Sequence, residues 1–158
     1  MHLGERILEA CRAKGVMVTC AESCTGGMVA AALTDVAGSS AALERGFVTY
    51  SNAAKVEMLG VSPETLAAVG AVSEEVAVEM AAGALAHSHA QVAVSITGIA
   101  GPGGSDHKPE GRVCFATAAG DDVTVETQEF GALGRDKVRL AARDHALQLL
   151  LTALDKTP

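Results

Sequence analysis

Apolar residues recur along this chain at helical spacing in some stretches and at strand-like density in others, and their alternation predicts an element order. In residues 3–14, Leu3, Ile7, Leu8 and Cys11 fall on one helical face, and Gly15 follows as a left-handed terminator. Residues 16–21 read as a short buried strand. Residues 22–27 form a turn into an Ala-rich helix that runs to about Val36 and stops before Gly38. A second strand is predicted at 47–50. Asn52 suits the cap position of a helix over AAKVEML that ends at Gly60. Ser62-Pro63-Glu64 supplies a cap, a proline at the first helical position and an acid in the first turn.

Ser73 is expected to cap a helix over EEVAVEMAAGALAHS, and residues 91–97 (QVAVSIT) form the clearest strand, expected at the sheet centre. After a glycine-rich loop, residues 112–118 and 122–130 read as two strands joined by a hairpin turn at Ala119-Gly120-Asp121. Residues 135–154 place Val138, Ala141, Ala142, His145, Leu149 and Leu150 on one side of a long closing helix. Helix–strand alternation followed by an adjacent strand pair predicts an α/β fold: a single-domain three-layer α/β/α sandwich over residues 1–158, with a mixed sheet.

Composition refines this picture in three ways. The chain is 49% hydrophobic but only 3% aromatic, so the core is built of small side chains that let helices lie close to the sheet. It contains no apolar run of roughly 18 residues, and charges occupy the N-terminal stretch where a secretion signal needs an apolar core. A soluble, cytoplasmic protein with no membrane partner is therefore expected. Cys11, Cys20, Cys24 and Cys114 show no paired or metal-ligand spacing, which in a reducing compartment means free, mostly buried thiols. A net charge of −7 argues against a nucleic-acid surface, while leaving room for a small anionic ligand held by a few local cations.

Three polar stretches stand out from the Ala-, Val- and Leu-rich scaffold, and they are expected to converge on one pocket. They are AESCTGG, GSSAALERGFVTYSNAAK and TGIAGPGGSDHKPEGR. In the second, Ser39, Ser40, Tyr50, Ser51 and Lys55 make a kit for hydroxyl activation without histidine. Lys55 falls near the third position of its helix, where the helix dipole and partial burial both disfavour an ammonium; the alternative is an ordinary exposed helix lysine. In the first stretch, Ser23, Thr25, Gly26 and Gly27 lie at a strand-to-helix turn whose amides can hold a phosphate or an oxyanion. Ser23 is a second candidate nucleophile, whereas Cys24 has no histidine near it in sequence. In the third, Thr97, Gly98 and Gly101 follow the central strand, where ligand sites of open α/β sheets lie, and Lys108 and Arg112 add positive charge. Arg135, Lys137, Arg139 and Arg143 crowd the start of the last helix and read as an anion clamp or as a solvated face. The histidines converge with no acid at ligand spacing, so no metal is expected.

Taken together and in this order, AESCTGG, GSSAALERGFVTYSNAAK, GAVS and TGIAGPGGS with its following KP closely resemble the CinA C-terminal-domain family, from about Val16 to Leu150. Stand-alone members of that family are nicotinamide mononucleotide amidohydrolases. The domain that precedes this one in two-domain members has no counterpart here, so the stand-alone form is expected. The resemblance implies hydrolysis of nicotinamide mononucleotide to nicotinate mononucleotide and ammonia by a serine–lysine mechanism, with no metal and no cofactor. Carried onto this chain, it makes Ser40 the nucleophile, Lys55 the base and Tyr50 an assisting phenol. It makes Ser23 and Thr97 pocket positions, and Arg135 or Arg139 the phosphate contact. The Ala-rich helices suit a subunit interface, and a homo-oligomer is expected. The chain departs from the family pattern in a shorter glycine run and in Glu110, where a small apolar residue is commoner, and that extra carboxylate is expected to weaken binding of a phosphorylated substrate. Another small phosphorylated amide as substrate, or a non-catalytic nucleotide-binding module, are the other readings.

Overall fold

A computed structural model describes residues 2–105 and 107–158 of the chain. Among these the elements run α1 (Leu3–Lys14), β1 (Val18–Glu22), α2 (Met28–Thr34), β2 (Leu43–Val48), α3 (Asn52–Leu59), α4 (Pro63–Val69), α5 (Glu74–Ala86), β3 (Val92–Gly98), β4 (Arg112–Ala119), β5 (Asp122–Glu129) and α6 (Arg135–Lys156), with a short 3-10 turn at Ser39–Ala41 before β2. The sheet order is β2-β1-β3-β4-β5. The first three strands are parallel, and β4 and β5 join antiparallel. This is the mixed-sheet sandwich that the pattern predicts.

Alternation along the strands sorts the core into two layers. Val18 and Cys20 of β1, Val92, Val94 and Ile96 of β3, and Val113 and Phe115 of β4 pack against α1, α2 and α6. On the other face, Ala93, Cys114, Ala116 and Ala118 meet α5. Because these side chains are small, α5 lies almost on the sheet, and the buried Ser95 hydroxyl donates to the Ala77 carbonyl of that helix at 2.6 Å. α5 approaches the end of α3 as closely, since a Cβ added at Gly83 would stand 1.9 Å from the Leu59 carbonyl oxygen.

Several boundaries shift by a residue or two, and two of the differences bear on the site. β2 begins four residues before the predicted 47–50 strand and ends before Tyr50. It is an edge strand whose stretch Glu44-Arg45-Gly46 holds two charged residues, half-buried and exposed, and a glycine that lies against Cys20 and Ala30, so its first half carries no apolar pattern to read. In α3 the cap is Ser51, whose hydroxyl accepts from the Ala54 amide at 3.0 Å, and Asn52 is the first helical residue. Lys55 is thereby the fourth residue of the helix and points inward. The remaining predicted caps, Ser62 and Ser73, and the left-handed Gly15 are in place.

The first turn of α2 is closed by a residue the sequence pattern does not single out. Glu22, fully buried at the end of β1, accepts from the amides of Gly27, Val29 and Ala30 at 3.2, 3.0 and 3.1 Å. Its negative charge sits at the positive end of the helix. Glu22→Ala strands one buried and two partly buried amides and is expected to cost about 3 kcal/mol. Glu22→Gln keeps one acceptor and is expected to cost less, and urea unfolding of the two variants measures the difference.

Candidate active site

The sequence segments that end β1, β2 and β3 all emerge at the same edge of the sheet. β1 delivers Ser23, β2 leads through Thr49 and Tyr50 into α3, and β3 ends at Thr97 and Gly98. A cleft of about 370 Å³ opens there. It is lined by Ser23, Cys24, Tyr50, Asn52, Lys55, Thr97 and Arg135, by Ala71 and Val72, and by the loop from Gly98 to Ser105. The three polar stretches do meet in one cleft.

At its floor, Lys55 is 1% exposed. Its amine lies 3.0 Å from the Ser23 hydroxyl, 3.0 Å from the Thr49 carbonyl oxygen and 3.3 Å from the Tyr50 carbonyl oxygen. No carboxylate pairs with it among the described residues. Burial lowers its pKa from the ordinary value of 10.5, an effect that the neighbouring Cys24 thiol partly opposes. The geometry suits either protonation state. An ammonium donates to all three oxygens; a neutral amine gives its two hydrogens to the carbonyls and leaves its lone pair facing the Ser23 hydroxyl. Cys24 itself is held protonated, with burial pushing its thiol up to about 12. All four cysteines are free and buried.

Within one copy of the chain the structure does not bring Ser40 to Lys55, against the expected pairing of these two. Ser40 is exposed on the 3-10 turn before β2, whereas Lys55 follows the other end of that strand. The two ends of a six-residue strand stand about 17 Å apart. The helper role expected for Tyr50 changes likewise. Its phenol is 62% exposed and accepts from Arg135 at 2.9 Å, while only its carbonyl reaches Lys55.

In the turn from Ser23 to Gly27 the amides of Ser23, Gly26 and Gly27 are already engaged, by the Ile96 and Ser23 carbonyls and by Glu22, which also takes the Val29 and Ala30 amides of α2. The start of that helix is therefore closed to a phosphate, against expectation, and the amides of Cys24 and Thr25 are what the turn has to offer. Gly27, at φ +109°, supplies the backbone turn that aims its own amide and those of Val29 and Ala30 back at Glu22. Gly26 lies against Arg139, and the Thr25 hydroxyl is buried with no partner among the described residues. The Thr97 hydroxyl, 1% exposed, donates to the Ala71 carbonyl at 2.9 Å and so holds the GAVS stretch as a wall of the cleft.

The basic residues also sort themselves. Arg139 spends its guanidinium on the Cys24 and Thr25 carbonyls, at 3.0 and 3.4 Å, and shapes the turn that bears Ser23. Arg143 pairs with Asp144, Arg112 with Glu129, and Lys108 donates to the Val69 and Val72 carbonyls. Only Arg135 of the expected clamp lines the cleft, donating to the Gly101 carbonyl at 2.7 Å and to the Tyr50 phenol. Glu110 turns to the amides of Gly103 and Gly134. Sequence reasoning missed Glu22, whose one local signal is a lone carboxylate at a strand end, before a glycine turn and a helix with no acid of its own in the first turn.

Fold and site together define a small α/β domain in which a desolvated lysine amine and a serine hydroxyl meet at the carboxyl edge of the parallel strands, an arrangement fit for nucleophilic chemistry. The chain matches the CinA C-terminal domain over residues 1–154 and belongs to that family. It is 58% identical to the nicotinamide-nucleotide amidohydrolase PncC of Escherichia coli, over 95% of this chain and 92% of that protein. Among solved structures, the competence/damage inducible protein CihA of Agrobacterium tumefaciens superposes with a TM-score of 0.92 at 52% identity, covering 97% of this chain and 93% of that one. The competence damage-inducible protein A of Klebsiella pneumoniae superposes at 0.94 with 39% identity, covering 99% and 97%.

Proposed function

We propose that this protein hydrolyses nicotinamide mononucleotide to nicotinate mononucleotide and ammonia, with Ser23 as nucleophile and Lys55 as its base. The observation that carries the mechanism is the buried Lys55 amine 3.0 Å from the Ser23 hydroxyl on the floor of a nucleotide-sized cleft. The 58% likeness to a nicotinamide-nucleotide amidohydrolase supports the substrate.

Neutral Lys55 takes the Ser23 proton as the hydroxyl oxygen attacks the carboxamide carbon. The oxyanion is received by backbone amides, the Cys24 amide next in the chain being the first donor; one such donor is typically worth about 3–4 kcal/mol. The Lys55 ammonium then protonates the departing nitrogen, the C–N bond breaks, and ammonia leaves behind a Ser23 ester. Water, deprotonated by Lys55, cleaves that ester and returns the hydroxyl. The pyridinium charge of the substrate withdraws electrons from the carboxamide, which eases both attacks.

Arg135 is the phosphate contact on this reading, since Arg139 is committed to backbone carbonyls. Arg135→Ala is expected to raise KM for the nucleotide about tenfold with kcat little changed, because a charge-assisted contact distant from the reacting carbon is lost. Steady-state ammonia release measures both constants. On the same reading the enzyme works in the cytoplasm as a homo-oligomer, which light scattering on the eluting protein checks. Among the described residues no helix is long and apolar enough to cross a membrane. Ammonia release from nicotinamide mononucleotide by the wild type tests the function itself. No ammonia, together with a ligand-induced rise in melting temperature, would make the protein a binding module instead.

A further inference from the structure

We infer that Glu110 is a positioning residue for Arg135, and through it sets affinity for the phosphorylated end of the substrate. This rests on the amidohydrolase reading above. Glu110 lies just before β4, between the glycine-rich loop and the segment that leads into α6. One carboxylate oxygen accepts from the Gly103 amide at 2.7 Å, and the other from the Gly134 amide at 3.3 Å. These are the two backbone pieces on which Arg135 depends. Gly134 is the residue immediately before Arg135 and the N-cap of α6. Gly103 belongs to the loop whose Gly101 carbonyl accepts from the Arg135 guanidinium. A single carboxylate therefore ties together the chain that carries Arg135 and the loop that steers its head group.

The packing around this tie is tight. Gly101, at φ +90°, rests against the Glu110 side chain so closely that an added Cβ would stand 2.5 Å from the carboxyl carbon. One residue further on, a Cβ at Gly111 would stand 2.1 Å from the Gly131 carbonyl oxygen, and the Phe130 amide donates to the Gly111 carbonyl at 2.8 Å. Loop, β4 and α6 leader are thus pressed together at Glu110. Its charge is placed favourably, at the positive end of a 22-residue helix and against two amides. A carboxylate so engaged orders the cation opposite the phosphate. This reverses the expectation that Glu110 weakens binding of a phosphorylated substrate.

The test compares Glu110→Ala and Glu110→Gln on nicotinamide mononucleotide and on its unphosphorylated nucleoside. Glu110→Ala is expected to raise KM for the nucleotide about tenfold, as a loosened positioning group does, with kcat within about twofold of the wild type and the nucleoside kcat/KM unchanged. Glutamine keeps the volume and one acceptor, so it gives a smaller rise and preserves the test if the alanine variant folds poorly. In an Arg135→Ala background, Glu110→Ala is expected to add nothing, since the two act as one unit. Equal losses on nucleotide and nucleoside, or full additivity with Arg135→Ala, would overturn the inference. If the wild type releases no ammonia, the amidohydrolase reading falls separately. Calorimetric binding of nucleotide and nucleoside then decides, with a loss confined to the nucleotide in favour and an equal loss against.

Discussion

Lys55→Met is expected to lower kcat/KM by about a thousandfold, the loss typical of removing a positioned general base. The buried amine is the only side-chain base within reach of the Ser23 hydroxyl among the described residues, and its carbonyl neighbours aim the lone pair at that hydroxyl. Lys55→Arg is expected to be equally inactive, because a guanidinium keeps the charge but gives up no proton at any working pH. Methionine leaves the Thr49 and Tyr50 carbonyls without a donor, yet it also removes an amine that is costly to bury charged. These effects oppose each other, so unfolding stability near neutral pH should change by no more than about 2 kcal/mol.

The pH dependence separates the roles of charge and base. Burial lowers the Lys55 pKa below 10.5, so the fraction of neutral amine, and with it wild-type kcat/KM, is expected to rise with pH and level off below that value. Stability follows the same group with a definite sign. Between the lowered folded value and the ordinary lysine value, the unfolded chain binds more protons than the folded one, and stability therefore rises with pH across that window. Urea midpoints against pH should show this slope in the wild type and lose it in Lys55→Met. A pH profile of kcat/KM identical in the wild type and a residually active Lys55 variant would remove Lys55 as the base.

Ser23→Ala is expected to cost about a thousandfold in turnover, whereas Ser40→Ala should leave activity within about twofold of the wild type. Ser23 is buried beside Lys55 at the end of β1; Ser40 is exposed beyond the opposite end of β2. Both are readily substituted without loss of the core, so ammonia release from nicotinamide mononucleotide compares them directly. A loss in Ser40→Ala with Ser23→Ala only slowed would move the nucleophile to Ser40. Given the length of β2, that serine would then have to come from a second copy of the chain.

Much of the scaffold was legible along the chain. The caps at Ser62 and Ser73, the Gly15 terminator, the hairpin at Gly120-Asp121 and the central strand β3 each follow from local chemistry acting within a few residues. β2 was harder because an edge strand needs no apolar alternation on its outer face. Glu22 was overlooked for another reason. A buried carboxylate is read from sequence as a surface charge until the three amides that satisfy it are seen folded back around it.

The sequence by itself determined the element order, the mixed α/β sandwich and the three polar stretches that share one cleft, because periodicity and turn chemistry are local. It also singled out Lys55, through a polar neighbourhood unlike the rest of the chain. Which hydroxyl meets that amine was decided only by the tertiary structure. Ser23 and Lys55 are 32 positions apart and meet because β1 and β2 lie parallel, so that both strands end at the same edge. The same register carries Ser40 to the far edge, although it is closer to Lys55 in sequence. Arg135 and Arg139 are likewise indistinguishable as helix arginines; one faces the cleft and the other the Cys24 and Thr25 carbonyls only once α6 has docked against the sheet.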